Sequence, residues 1–262
     1  MSAMDVGKAT RRPFGWLLPL ATLAGVLALL EILARTDVIN KLIFPAPTAV
    51  VEALITLGGR EFFWRNLWVT AIEALSGFAI GGSLGFLSGT IIGLSGFARR
   101  SLYPLAVAIQ STPQVAIAPL FLIWFGFGLA PRIFFAATTC FFPVLVAVVV
   151  GLNAADQDSR TLLRSLGASR LTTYRRLLLP ASLPTTFSGI RTAVPLALVG
   201  AIVGEFVGGN LGLGVLITTF NAQLHVASSF AVVLVLAVMG FGGYALVELV
   251  DRRLLGWHHR RS

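Results

Sequence analysis

Residues 67–95, LWVTAIEALSGFAIGGSLGFLSGTIIGLS, outlast the roughly 20 apolar positions that an α-helix needs to cross a bilayer core. Polar flanks at the start of the run allow it to be tilted. Glycine recurs every fourth position within it, at 77, 81, 85, 89 and 93. On a helix that spacing makes one smooth stripe on which another helix approaches closely. The stripe predicts a central, tightly packed span whose partner lies either in this chain or in a second copy.

Five further runs qualify or nearly qualify as spans: 15–34, 101–125, 132–152, 185–208 and 228–250. Apolar residues make up 56% of the 262 residues and charged ones 12%, about half the usual quarter. A soluble domain of this length has too few charges to cover that much apolar surface. The chain reads as a polytopic, all-α membrane protein. The first run follows Lys8, Arg11 and Arg12 but lacks a small-x-small cleavage site after it, so it is a retained span, not a signal peptide. The lone Cys140 excludes a disulfide framework and reads as ordinary packing.

The net charge of +9 is distributed as a membrane topology requires, not as a nucleic-acid footprint. With a cytoplasmic N-terminal segment 1–14, six spans place 15 of the 20 Lys and Arg inside and 5 outside. The outside set is Arg35, Lys41, Arg60, Arg65 and Arg132. The tail 251–262, with His258 and His259, also falls inside. Within the outer loop from Thr36 to Asn66, Pro45 and Pro47 end any regular run, and Thr48 caps a short amphipathic helix from Ala49 to Leu57. Phe62, Phe63, Trp64 and Trp68 follow where an interfacial aromatic belt is expected.

Two places in the spans are polar enough to line a solute pathway. Gln110, Ser111, Thr112 and Gln114 surround Pro113, with Pro119 beyond. Prolines free backbone carbonyls, and nearby hydroxyls and amides either satisfy them or face a water-filled cavity. Glu205 lies near the outer end of the fifth span, after the kinking Pro195, at a depth that demands a partner, water or the interface. Residues 210–229 are too polar to span and read as an outer loop with a dipping helix. His225 there is solitary, which argues against a metal site.

No phosphate loop, H-E-x-x-H, C-x-x-C or G-x-S-x-G is present. The acids Asp156 and Asp158 sit in an inner loop, suited to capping a helix. A multi-span chain without chemistry of its own but with kinked polar helices fits a solute pathway better than an enzyme.

Residues 153–184 stand apart from the spans around them. In DSRTLLRSLGASRLTTYRRLLLPASLP, Asp158 or Ser159 caps a short helix carrying Leu162, Leu163 and Leu166. Gly167 suits the left-handed residue that ends it, and Ser169 caps a second helix bearing Leu171, Tyr174 and Leu178. Pro180 stops that helix, and Pro184 suits the first turn of the fifth span. The arginines 164, 170, 175 and 176 face anionic surroundings, with acidic lipid the simplest partner.

This loop resembles the EAA loop of binding-protein-dependent ABC transporter permeases, whose pattern is E-A-A-x3-G-x9-I-x-L-P. Gly167 is followed by nine residues and then Leu177, Leu178, Leu179 and Pro180, while Thr161, Leu162 and Leu163 replace E-A-A. FPAPTAVVEAL, SLGASR, LPASLPTTFSGIRTA and GEFVGGNLGLGVLI are similar to the nitrate/sulfonate/taurine-type subfamily, and the likeness runs from Phe44 to the end of the sixth span. The resemblance implies a type I importer permease with the MetI-like fold, its transmembrane domain at 15–250. It implies a coupling role for Arg164, Ser165, Leu166, Gly167, Ala168, Ser169 and Arg170 on an ATPase subunit present in two copies. It further implies a periplasmic or lipid-anchored solute-binding protein, a second permease copy, and a bacterial inner membrane with both termini cytoplasmic. ATP and Mg would sit on the ATPase, with no cofactor on this chain. Gln110, Ser111, Thr112, Gln114 and Glu205 are the candidate pathway residues. An ion-driven secondary transporter or a membrane-embedded enzyme would need charged relays or acid and histidine clusters instead.

Overall fold

The computed structural model describes residues 17–36, 38, 40 and 42–254. The basic segment 1–14, Lys41 and the end of the tail with His258 and His259 lie outside the described residues. Within them, every regular element is a helix. Five helices are long and apolar enough to cross a membrane: α1 (Leu17–Arg35), α3 (Glu61–Leu94), α6 (Leu129–Asn153), α9 (Leu179–Gly208) and α11 (Val226–Leu254). Between them lie α2 (Pro47–Gly58), α4 (Gly96–Gln110), α5 (Gln114–Phe125), α7 (Gln157–Ser165), α8 (Arg170–Thr173) and α10 (Leu213–Ala222).

The core is a three-helix stack with α6 in the middle. α6 is the most buried of the membrane-length helices, and most of its surface is apolar. On one side Gly77, Gly81, Gly85, Gly89 and Gly93 of α3 lie against it. A β-carbon built on Gly81 would stand 2.1 Å from the carbonyl oxygen of Ala137, and one on Gly85 2.5 Å from that of Phe141. The partner of the glycine stripe is therefore in the same chain. On the other side α9 uses Gly189, Gly200 and Gly204, whose built β-carbons would overlap Ala147, Ala136 and Arg132. Cys140 is fully buried against Gly77 and Gly81, a packing role.

The third predicted span is not one rod. α4 and the segment from Val115 to Phe125 diverge by 99° at the Ser111–Pro113 break. At 15 and 12 residues, α4 and α5 are each shorter than a bilayer core requires. Ser111 closes the frayed end by donating its hydroxyl to Val107 O at 3.0 Å, and the missing N–H of Pro113 keeps the ladder from continuing.

Three local expectations are corrected. Pro47 starts α2 instead of ending a run, because its fixed φ suits the first helical position. Thr48 is consequently no cap: its hydroxyl and N–H both donate to the Glu31 carboxylate, at 2.7 and 3.0 Å, tying α2 to α1. Pro180 does not stop a helix either. A π-turn at Tyr174–Leu178, with Leu179 N–H bonded to Tyr174 O, joins α8 to α9 and absorbs the proline within a helical rod from Arg170 to Gly208.

Candidate functional site: the basic loop and the buried ion cluster

The loop after α6 is built from two capped turns. Asp156, not Asp158 or Ser159, is the cap of α7: its carboxylate accepts the N–H and the hydroxyl of Ser159, both at 2.9 Å. These bonds favour the ionised form and hold its pKa below the ordinary 3.8. The negative charge also meets the positive end of the α7 dipole. The residue immediately before the helix is the one whose side-chain oxygen reaches the free amides, and Asp156 holds that position, three residues ahead of the Ser159 N–H it accepts.

Gly167 ends α7 at φ +74°. Its N–H donates to Arg164 O at 2.9 Å, and Ala168 N–H donates to Leu163 O at 2.9 Å, so the last carbonyls of the helix are satisfied. A β-carbon at Gly167 would meet nothing within 4 Å, so backbone conformation alone demands the glycine. Ser169 then caps α8, accepting Thr172 N–H at 3.1 Å, as its sequence position predicts. Around this turn Leu162 is 60% exposed, Leu166 73% and Leu171 56%. Arg164, Ser165 and Arg170 are exposed as well, and Ala168 is half-buried. The residues expected to couple thus form one solvent-facing corner with uncovered leucines. It is anchored at its root by Arg160, which donates to Leu152 O, and by Arg99, which donates to Asn153 Oδ1.

The candidate pathway residues separate into two groups. Gln110, Ser111 and Thr112 are exposed at the α4–α5 break, and Gln114 opens α5. Glu205 is only 2% exposed and faces inward. Its Oε1 accepts the Thr70 hydroxyl at 2.6 Å and its Oε2 accepts Gly214 N–H at 2.5 Å. Thr70 Oγ1 in turn accepts Leu213 N–H at 2.8 Å, and Asn66 Oδ1 accepts Gly212 N–H at 2.6 Å. Beside them Arg132 donates to Glu73 Oε1 at 2.5 Å, to Leu211 O at 2.9 Å and to Gly128 O at 2.8 Å.

One cluster of buried side chains therefore clamps α3, α6 and α9 to the 209–214 turn. The glycines of that turn are dictated by it. Gly212 lies at φ +132°, and a β-carbon there would stand 2.2 Å from Glu205 Oε1; one at Gly214 would stand 2.7 Å from Oε2. Asn66, Thr70, Glu73 and Arg132 escaped the sequence reading. The available signal was charge pairing: an arginine and two acids in or beside apolar runs need one another in a medium without water. A second such link, Arg191 with Asp251, ties α9 to α11, with Asp251 1% exposed. Among the described residues no group of three metal-ligating side chains occurs.

Comparison with known proteins places this architecture. Residues 81–256 match the family described as binding-protein-dependent transport system inner membrane component. The chain is 32% identical over 219 residues to the formylaminopyrimidine transport permease protein ThiX of Halalkalibacterium halodurans, covering 84% of this chain and 87% of that one. It is 28% identical over 254 residues to the putative aliphatic sulfonates transport permease protein SsuC of Bacillus subtilis, covering 96% and 91%. Its fold matches a chain of the inward-facing MetNI methionine ABC transporter with a TM-score of 0.60, at 18% identity, over 72% of this chain and 96% of that one. With its helical bundle, α7–α8 corner and family match taken together, the chain belongs to the membrane-embedded permease components of binding-protein-dependent ABC transport systems.

Proposed function

We propose that this chain forms the translocation pathway of an ATP-driven importer for a small organic solute, with the α7–α8 corner receiving force from a separate ATPase subunit. The observation that carries the reading is the corner itself: a capped amphipathic turn that exposes Leu162 and Leu166 beside Gly167. Exposed leucines on a rigid turn cost solvation until a partner covers them. Arg164, Ser165, Leu166, Gly167, Ala168, Ser169 and Arg170 make that contact in the proposal, and ATP with Mg is held by the partner.

Two ATPase subunits, a second permease copy and an external solute-binding protein complete the assembly in the bacterial inner membrane. The arginine-rich end that carries α7, α8 and the end of α11 faces the cytoplasm, in keeping with the excess of positive charge there. Gln110, Ser111, Thr112 and Gln114 line the route at the α4–α5 break. Glu205 contributes by clamping the helices beside it. The relatives are named for formylaminopyrimidine, aliphatic sulfonates, riboflavin and taurine. Those names support a small anionic or heterocyclic substrate.

Gly167→Asp tests the reading. The variant is expected to insert normally while losing co-purification of the cognate ATPase and ATP-dependent uptake into proteoliposomes. Undiminished ATPase capture, or uptake driven by an ion gradient with no ATPase present, would overturn it.

A further inference from the structure

We propose that the cavity between the α3–α4 corner and the basic loop is a binding site for the phosphate group of an anionic phospholipid. The cavity holds about 710 Å³ and is lined by Arg160, Arg164 and Arg170 together with Ser95, Thr173 and Tyr174. Among the described residues, none of the three arginines forms an ion pair with a carboxylate. Arg160 donates one nitrogen to Leu152 O, but its Nε is buried without a hydrogen-bond partner. Burial, with the neighbouring charges of Arg99 and Arg164, disfavours its cationic form. An uncompensated cluster of guanidinium groups around a cavity calls for an anion, and a phosphate matches their planar forks with paired hydrogen bonds.

Two features select a lipid as the source of the phosphate. The cavity opens where α3, a membrane-length helix, ends at Leu94 and the chain turns, and the proposal sets this turn among the lipid headgroups. Leu94, Leu171 and Leu178 add an apolar wall suited to the glycerol and upper acyl region. The site borders the face offered to the ATPase and shares Arg164 and Arg170 with it, while Arg160 belongs to the cavity alone. Arg160 and Arg164 lie one turn apart on α7 and share a side, whereas Leu162 and Leu166 occupy the opposite side and are exposed. The inference rests on the transporter reading only in placing this loop at the membrane surface. It does not depend on ATPase docking.

The test uses the full-length protein in mixed micelles of phosphatidylglycerol and phosphatidylcholine, with retained lipid counted by native mass spectrometry. Wild type is expected to retain phosphatidylglycerol over phosphatidylcholine. The Arg164→Gln/Arg170→Gln double variant should retain it roughly tenfold less, the loss expected for one charge-assisted contact. Arg160→Lys, which keeps the charge but not the fork, should also weaken retention, and it reports even if the double variant fails to fold. Equal retention by wild type and Arg160→Lys alongside equal retention by the double variant would overturn the proposal. Displacement of the lipid by millimolar inorganic phosphate would overturn the lipid assignment in favour of a free anion. Unchanged lipid retention with lost ATPase capture would assign the arginines to the docking surface, and the lipid site would fall while the transporter reading stood.

Discussion

Glu205 on α9 accepts the hydroxyl of Thr70 on α3 at 2.6 Å, across 135 positions of chain. Thr70 Oγ1 itself accepts Leu213 N–H, and Glu205 accepts Gly214 N–H, so the start of α10 is fixed by side chains from two other helices. With Arg132 paired to Glu73 Oε1 alongside, this end of the bundle is a cross-linked set of buried polar and charged groups, and removing one partner of its ion pair costs far more than keeping it.

Arg132→Ala leaves Glu73 buried and unpaired. The expected loss is about 3–5 kcal/mol of stability, the range for removing one partner of a buried ion pair. Thermal unfolding in detergent should show a clearly lowered midpoint, while Glu205→Gln, which keeps the shape of the side chain, should be milder. A midpoint for Arg132→Ala equal to wild type would show that the pair is not a clamp.

Adjacent glycines of α3 should respond in opposite ways. Gly81→Ala drives a methyl into the Ala137 carbonyl and should destabilise by about 1–3 kcal/mol. Gly82→Ala meets only the Phe78 ring, at 3.8 Å, and should be neutral or slightly stabilising through helix propensity. Melting of the two variants side by side checks the direction of approach between α3 and α6.

Gly167→Ala forces a β-carbon into a left-handed conformation at a cost of about 1–2 kcal/mol, with no steric clash added. The effect should be local. Hydrogen exchange at the Gly167 and Ala168 amides should accelerate while the bundle melts normally, and Gly167→Asn should fall between the two because asparagine tolerates this conformation.

Asp156 links the loop to pH. Its folded pKa is depressed, so its contribution to α7 is fully present above the ordinary 3.8 and is lost as pH falls through the lowered folded value. Exchange protection of the Ser159 amide should therefore persist through pH 4 and fail only below it. Asp156→Asn should retain the cap and lose this acid dependence.

The fold class was legible because composition and run length leave no alternative to membrane helices. The glycine stripe at 77–93 correctly announced a close helix contact, since four-residue spacing fixes one face whatever the partner. The turn at Gly167 and the cap at Ser169 were legible for the same reason: they depend on neighbours within a few residues. Where local signals compete, the reading failed. Pro47 and Pro180 are helix breakers only if no first turn or π-turn accommodates them, and both are accommodated here. The cap of α7 moved from Asp158 or Ser159 to Asp156 because two acids two residues apart offer nearly equal signals.

Apolar run length, glycine spacing and backbone-encoded turns by themselves determined that this protein is a helical membrane bundle with an angled basic loop, because each acts within one helix or turn. Only the tertiary structure decided that α6 is the partner of the stripe and that Glu205 pairs with Thr70 inside the bundle. It likewise decided that Arg132 meets Glu73 and Arg191 meets Asp251. Those contacts join positions far apart in the chain. In a medium without water, a buried charge takes the partner that packing brings to it, and the packing is set by all the helices at once.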